Sequence, residues 1–546
     1  MTTLTIAENT EPDGLNPLLS TIASSQYIQQ LIFVQLLDYD PSKLELRPSA
    51  ALDLPRIEAL SQGPYTGGVA LHYRFRPQAK WDNGKPITGY DYAFTLKATR
   101  LSLVHSDALR SSVAFIDSVG VDAQNPQSFT VYCAKPYFLA ASGSGTLPIL
   151  PEYHYDSKKV LRKFNLAQLD QATKAQKDLA SFAEQFNTKY NRTVKNIVGG
   201  GPYRLLRWTE GKDLLLERKN NWWGNAKDLP EYLAAYPDQI RYVFTTDISS
   251  LLARREVDIA YNIPQIDFVK LINSEERHYY NFHSPSHFTY TYIGCNLQHP
   301  ILKDQKVRRA LAHLLDRDAL IQRLLGGLGV KTNGPVHPAK PHYYRYLPDI
   351  RYQPDRAKQI LEQAGWKDSN GDGILDKEIN GQVQKLSLSF LYPEEQFVRR
   401  RVGEILQEEA KKIGINIILV GKPFKECIEL NKQRKYDLYI GAWVEDPGLD
   451  NMRQIWHSQS DSPDGSNRIG FHHPQADQTI EQLERSLDWE QQKQLYHKLQ
   501  EIIYEEQPYI FLFSTSGRIA IHWRFDKVSV SLLSPGFQPQ LFKLNK

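Results

Sequence analysis

The sequence predicts an α/β protein with several cores, and three observations lead there. Short β-type runs alternate with amphipathic helical runs along the whole chain. Hydrophobic residues make up 41% and aromatics 11% of the 546 residues, a composition that folds rather than staying disordered. At roughly 150 residues per domain, the length provides for about three or four units, or for one large discontinuous architecture. No repeat in the ~20–50-residue range interrupts this pattern.

The elements follow in order. Residues 4–7 alternate as a strand. Ile28, Leu31, Ile32 and Leu36 share a face and predict a helix over 27–37. In 69–76, Leu71, Tyr73 and Phe75 alternate with His72 and Arg74, so this run reads as a strand. Residues 90–101 read as a helix entered through Thr88 and Gly89. The stretch 158–190 is rich in Lys, Gln and Ala with few apolar anchors, so a solvent-facing helix is expected. The glycines 199–201 break it, and 203–208 with 213–218 form a hairpin about Thr209-Glu210-Gly211. A strand is expected over 286–297. One helix is expected over 307–325, with Asp304 near its start and Gly326-Gly327 at its stop. Helices over 355–364, 398–413 and 481–507 and strands over 415–420, 436–442 and 509–513 complete the reading.

Charge and composition exclude several functions. Lys+Arg number 66 and Asp+Glu 62, a net charge of +4, too even for a protein that binds nucleic acid through bulk charge. Cys133, Cys295 and Cys427 are too few for a disulfide scaffold, and an odd count leaves at least one unpaired within the chain. No apolar run reaches the ~18 residues of a membrane span. The first residues carry neither a basic n-region nor an apolar h-region.

Motifs narrow the chemistry. Gly199-Gly200-Gly201 leads into Pro202 and a strand, so it is a turn rather than a phosphate loop, which needs a helix behind it. No Gly-x-Ser-x-Gly or His-Glu-x-x-His run occurs. His283 and His287, four apart in an extended stretch, lie about 13 Å apart and cannot share one metal. His457, His472 and His473 form a looser group, the basis of a competing reading as a metal-dependent hydrolase. Asp368, Asn370, Asp372 and Asp376 occupy positions 1, 3, 5 and 9 of a calcium loop, with Gly373 at the sharp turn. Ile379 stands where the bidentate Glu belongs, so a structural calcium site and a plain Asx-rich turn both remain open. No other cofactor is expected. Trp443 and Asp446, just past a predicted strand and before Pro447-Gly448, suit a ligand site, although Asp446 would equally serve as a helix cap.

Together these segments resemble the family 5 extracellular solute-binding proteins, the oligopeptide- and dipeptide-binding components of ABC importers, over nearly the whole chain. Leu15-Asn16-Pro17 is similar to the family's opening Leu-Asp-Pro. The run from Tyr73 through Trp81-Asp82-Asn83-Gly84, Pro86 and Thr88 to Asp91 is similar to its most recognisable segment. Gly199–Tyr203 with Trp208 and Trp222 resembles its Gly-Pro-Tyr hairpin, and Val307-Arg308-Arg309-Ala310-Leu311 with Asp316-Arg317 its Val-Arg-x-Ala-Leu…Asp-Arg helix. Ile413-Gly414-Ile415, Tyr436-Asp437 and Trp443…Asp446 complete the set in order.

The resemblance implies a two-lobed periplasmic-binding-protein-like fold (type II, cluster C) with a small inserted domain. Lobe I would comprise 1–38, 198–280 and 506–546, the inserted domain 39–197, and the other lobe 281–505. It implies a non-enzymatic binding protein, a monomer, that closes its hinge on a peptide and hands it to an ABC permease and, through it, to the ATPase subunits. The peptide's α-ammonium would meet Asp446, with Ala442 and Val444 offering main-chain groups and Trp443 and Phe424 walling the pocket. Thr21 and Ala23 would contribute from lobe I. Residues 392–397 lack the Arg that some dipeptide binders use, which leaves ligand length open and admits metal chelates, sugars or opines as other ligands. A peptide-holding chaperone of the same fold is a further reading. A periplasmic or lipid-anchored extracellular location is implied, with an export signal encoded before Thr2 and contact with the membrane only through such an anchor.

Overall fold

The alternating run at the start forms the strand Thr3–Glu8, with Leu4 and Ile6 wholly buried, and a seven-stranded sheet is built around it. The computed structural model describes residues 2–462, 465–526 and 528–545. The sheet order is Tyr280–His283, Ile519–His522, Ile259–Ala260, Thr3–Glu8, Gln239–Phe244, Asp213–Arg218 and Tyr203–Thr209. Thr3–Glu8 runs parallel to both its neighbours, and the other pairs are antiparallel. The expected hairpin Tyr203–Thr209/Asp213–Arg218 closes one edge.

The chain divides into two compact units. The first runs to Pro285 and resumes at Gly517, and the second is Ser286–Ser516. The expected return to the first lobe at 506 is therefore corrected to 517. Tyr509–Thr515 is hydrogen-bonded between Thr289–Cys295 and Gly329–Lys331, deep in the second unit's sheet. The expected exit at 281 is likewise moved to 286, because Tyr280–His283 pairs with Ile519–His522 in the first sheet.

Within the first unit, Arg56–Ala59, Val69–Arg74, Ser128–Cys133 and Ser118–Val121 make a separate four-stranded antiparallel sheet, lying in the segment expected as an insertion. Against it packs the helix Gly89–Arg100. One Asp91 carboxylate oxygen accepts the Thr88 N–H at 2.9 Å, the Thr88 hydroxyl at 2.9 Å and the Trp81 indole N–H at 3.3 Å. The Trp81…Thr88…Asp91 spacing thus caps and anchors a helix start. The glycines 199–201 press on the end of the helix Ala23–Ile32. The Gly201 N–H donates to Ile32 O at 2.7 Å, and a Cβ there would stand 2.6 Å from the Ile32 carbonyl carbon.

Three expectations fail for physical reasons. The first helix ends at Ile32, not 37, because Phe33 is extended and Val34 bridges to Ile149. The stretch 158–190 is not one solvent-facing helix. It holds Leu166–Asp170 and Lys177–Lys189, and the latter buries Leu179, Phe182, Ala183 and Phe186. The single helix over 307–325 is two, Gln305–Ala312 and Arg317–Leu325, because Asp316 leaves the helix to cap the second through the Ala319 N–H at 2.9 Å.

The second unit carries a six-stranded sheet in the order Gly329–Lys331, Tyr509–Thr515, Thr289–Cys295, Leu438–Val444, Ser387–Pro393 and Asn416–Lys422. Gln305–Ala312, Pro354–Gln363 and Phe397–Lys411 bury Val307, Leu311, Leu361, Val402 and Leu406 in the core they share with its strands. All three cysteines are buried and unbridged. Among the described residues no helix is long and apolar enough to cross a membrane.

Candidate functional site

Ser387–Pro393, Asn416–Lys422 and Leu438–Val444 are parallel, so Pro393, Lys422 and Val444 finish on one edge of the second sheet. In open α/β sheets, ligands bind beyond the carboxyl ends of such strands. At this edge the sheet splays. Ser387–Pro393 pairs with Leu438–Val444 only at Phe390–Leu438 and Leu391–Tyr439. On its other side Leu438–Val444 is paired along its whole length with Thr289–Cys295, and the Glu445 N–H continues the ladder to Phe288 O at 2.8 Å. Main-chain groups alternate sides along a strand. Those of Ala442 and Val444 therefore point to the side left unpaired beyond Tyr439. Both residues are exposed, Val444 to 83%.

The turn after this strand concentrates charge. Glu445 is buried, and its Oε2 accepts the His337 N–H at 2.8 Å and lies 3.1 Å from Lys340 Nζ. The same ammonium reaches Asp450 Oδ1 and Oδ2 at 2.7 and 2.6 Å, and His342 Nε2 lies 3.5 Å from Asp450 Oδ2. The Lys340 side chain is wholly enclosed. Burial lowers its pKa, but Asp450 and Glu445 more than reverse this and hold it above the ordinary lysine value. Burial likewise pushes Asp450 up, and Lys340 and His342 more than reverse this, keeping it below the aspartate range. Glu445 is pushed up to about 7 by burial, only partly offset by Lys340. His337 falls to about 4 through burial and the nearby Lys340 charge, so its ring is neutral and meets the Ser286 hydroxyl at 2.8 Å.

Asp446 stands apart. It is exposed, and among the described residues it has no hydrogen-bond or ion-pair partner. Desolvation by the surrounding protein, then the Asp450 charge, raises its pKa, and Lys340 opposes this. Its exposure governs whether a ligand can reach it, and its crowding governs how strongly it seeks a cation. It caps no helix: the next helix, Arg453–Trp456, begins after Met452.

The other expected residues are placed as follows. Trp443 is half-buried, its indole N–H 3.4 Å from the Tyr509 hydroxyl. Phe424 opens the helix Phe424–Lys432 just beyond Lys422, is 42% exposed, and donates its N–H to Glu395 Oε1 at 2.8 Å. Ala442, Trp443, Val444, Asp446 and Phe424 therefore share one edge. Thr21 and Ala23 belong to the first unit, exposed at the start of Ala23–Ile32.

The oxygens of the expected calcium loop are already engaged. Asp368 accepts the Gly371 and Gly373 N–H groups, Asn370 accepts the Asp372 N–H, and Asp376 turns to Ser369. Lys385 pairs with Asp372 at 2.5 Å. His457, His472 and His473 have separate tasks: His457 accepts the Gln459 N–H, His472 pairs with Asp461, and His473 caps Pro474–Arg485. Among the described residues no three His, Cys, Asp or Glu side chains gather as a metal site. Lys340, Glu445 and Asp450 escape sequence reasoning, since Lys340 lies over a hundred positions from its partners. The one available signal was three acids within six residues, Glu445, Asp446 and Asp450.

Comparison with known proteins agrees with this architecture. The family model for bacterial extracellular solute-binding proteins, family 5, middle region, matches residues 65–466. The oligopeptide-binding protein AppA of Bacillus subtilis is 26% identical over 517 residues, covering 94% of this chain and 86% of the relative. The solved structure of that protein with a nonapeptide superposes with a TM-score of 0.68 at 23% identity, covering 100% of this chain and 99% of the other. NikZ from Campylobacter jejuni, in complex with Ni(L-His), superposes with a TM-score of 0.69 at 20% identity, covering 98% and 97%. With a family match that spans most of its length and the same fold in these relatives, the chain belongs to family 5 of the bacterial extracellular solute-binding proteins.

Proposed function

We propose that this protein captures an extended peptide at the carboxyl edge of the second unit's sheet and delivers it to the permease of an ABC importer, whose ATPase subunits drive uptake. The observation that carries the reading is Asp446, an exposed carboxylate without a partner among the described residues, two positions beyond a strand end whose Ala442 and Val444 main-chain groups face an unpaired side. An extended peptide adds to such an edge by main-chain hydrogen bonds, and its α-ammonium supplies the cation that Asp446 lacks. Trp443 and Phe424 offer apolar surface to side chains. The name of the Bacillus subtilis relative and the nonapeptide in its solved structure support a peptide ligand. The protein acts as a monomeric carrier, without catalysis, outside the cytoplasm, either free or held by a lipid anchor.

The test is a cycle of Asp446→Asn against peptides with free and acetylated amino termini, titrated calorimetrically. The bound peptide would cover Asp446 and bury the pair, so each change alone is expected to cost about 2–5 kcal/mol. Together they should cost little more than either, because both delete one interaction. Additive losses, or undiminished binding by the variant, would remove Asp446 from the site.

A further inference from the structure

We propose that Lys340 is a positioning residue for ligand capture, its enclosed ammonium fastening both ends of the turn that presents Asp446. This rests on the reading of Asp446 as the acceptor of a ligand ammonium. Among the described residues, no main-chain N–H from Asp446 to Asn451 has a hydrogen-bond partner in the protein. The turn is held from its ends instead. Lys340 Nζ contacts Glu445 at 3.1 Å, immediately before Asp446, and Asp450 at 2.6 Å, four residues after it. Other groups lean on the same two residues. The His337 N–H donates to Glu445, the Tyr496 hydroxyl donates to the Asp450 carbonyl at 2.6 Å, and His342 packs against the Asp450 carboxylate. Lys340 bonds to the side chains at both ends. It also lies under the Phe288 ring, 5.5 Å from its centre, where the strand Thr289–Cys295 is entered.

The charge count gives the clamp its sense. Glu445, Asp446 and Asp450 crowd about one lysine, and His337 is held neutral. Lys340 is committed to the two buried carboxylates, so it leaves the third, exposed one for the ligand. Two buried acids sharing one cation keep the turn closed. Asp446 is then fixed before the ligand arrives, and the ordering cost is not charged to binding.

The probe is a random hexapeptide library with free amino termini, mixed with the same library acetylated, and the retained peptides are weighed by mass spectrometry. Wild type is expected to retain free amines at least tenfold over acetylated ones, and Asp446→Asn to abolish that preference. Lys340→Met leaves two buried carboxylates facing each other and is prone to misfold. The decisive variant is therefore Lys340→Met with Asp450→Asn, which removes the ammonium together with its nearest carboxylate. It should melt as a folded protein and still lose the free-amine preference by at least tenfold. If it keeps the wild-type preference, Lys340 only neutralises its neighbours and the proposal is overturned. A wild type that shows no preference for free amines refutes instead the assignment of Asp446, and the clamp loses its purpose with it.

Discussion

Replacing Glu8 by Gln should make this protein more stable at neutral pH and change little in acid. Glu8 closes the strand Thr3–Glu8 with 2% of its surface exposed. Its Oε1 accepts the Thr10 N–H at 3.2 Å, its Oε2 accepts the Tyr261 hydroxyl, and among the described residues no cation pairs with it. Burial carries its pKa from the ordinary 4.5 up to about 7, and the backbone bonds of Thr10 and Asn9 only soften this. The unfolded chain ionises near 4.5 and the folded chain near 7, so between those values the unfolded state gives up its proton first. The stability that Glu8 contributes as a neutral acid is complete below 4.5 and is lost as pH rises through 7. At about 1.4 kcal/mol per unit, the ionised side chain costs about 3 kcal/mol at pH 8. Gln keeps the shape and the acceptor without the charge. Urea unfolding of both proteins from pH 4.5 to 8 should show the variant gaining on wild type by about that amount, most of it between pH 5 and 7. Parallel stability curves would mean that Glu8 is ionised throughout, and the argument from burial would fail.

Other perturbations have equally definite outcomes. Gly201→Ala sets a methyl carbon 2.7 Å from Leu31 O and 2.6 Å from the Ile32 carbonyl carbon, both backbone, and should lower stability by about 1–3 kcal/mol in chemical denaturation. Arg308→Leu abandons the carbonyls of Leu302, Lys303, Glu506 and Gln507, which the guanidinium gathers at 2.8 to 3.1 Å, and should cost about 3–5 kcal/mol by the same measurement. Millimolar calcium should leave the melting temperature unmoved, because Asp368, Asn370 and Asp376 serve their own loop and Lys385 neutralises Asp372. A rise of several degrees would show that the ion displaces Lys385.

What could be read from the chain beforehand was what short-range physics determines. The strand at 3–8, the hairpin at 203–218 and the stop at Gly326, which adopts a left-handed conformation, each follow from neighbours within a few positions. The single helix expected over 307–325 is two because the apolar spacing of Leu311, Leu314, Leu315 and Leu320 runs past Asp316, whose carboxylate caps a new helix start. The boundary expected near 506 lies at 517 because nothing in the sequence of Tyr509–Thr515 says which of two sheets will receive it. At the edge of the second sheet, Trp443 and Asp446 lie in one local motif. Lys340, between Ala339 and Pro341, lies in none, and only the tertiary fold brings its ammonium to Glu445 and Asp450.

The strand Ile519–His522 has a consequence for how the molecule is made. It is the sole link between Tyr280–His283 and Ile259–Ala260 in the seven-stranded sheet. While the polypeptide is being synthesised, the second unit, contiguous from Ser286 to Ser516, has all its strands in hand some residues before the first unit can close its sheet. Until His522 emerges, the first unit holds two half-edges that nothing joins, despite having been started hundreds of residues earlier. Vectorial folding therefore runs out of order, with the later-made unit able to mature first and the earlier one waiting on the last stretch of chain. A truncation before residue 519 should leave Tyr280–His283 without its partner in the sheet of the unit that was begun first.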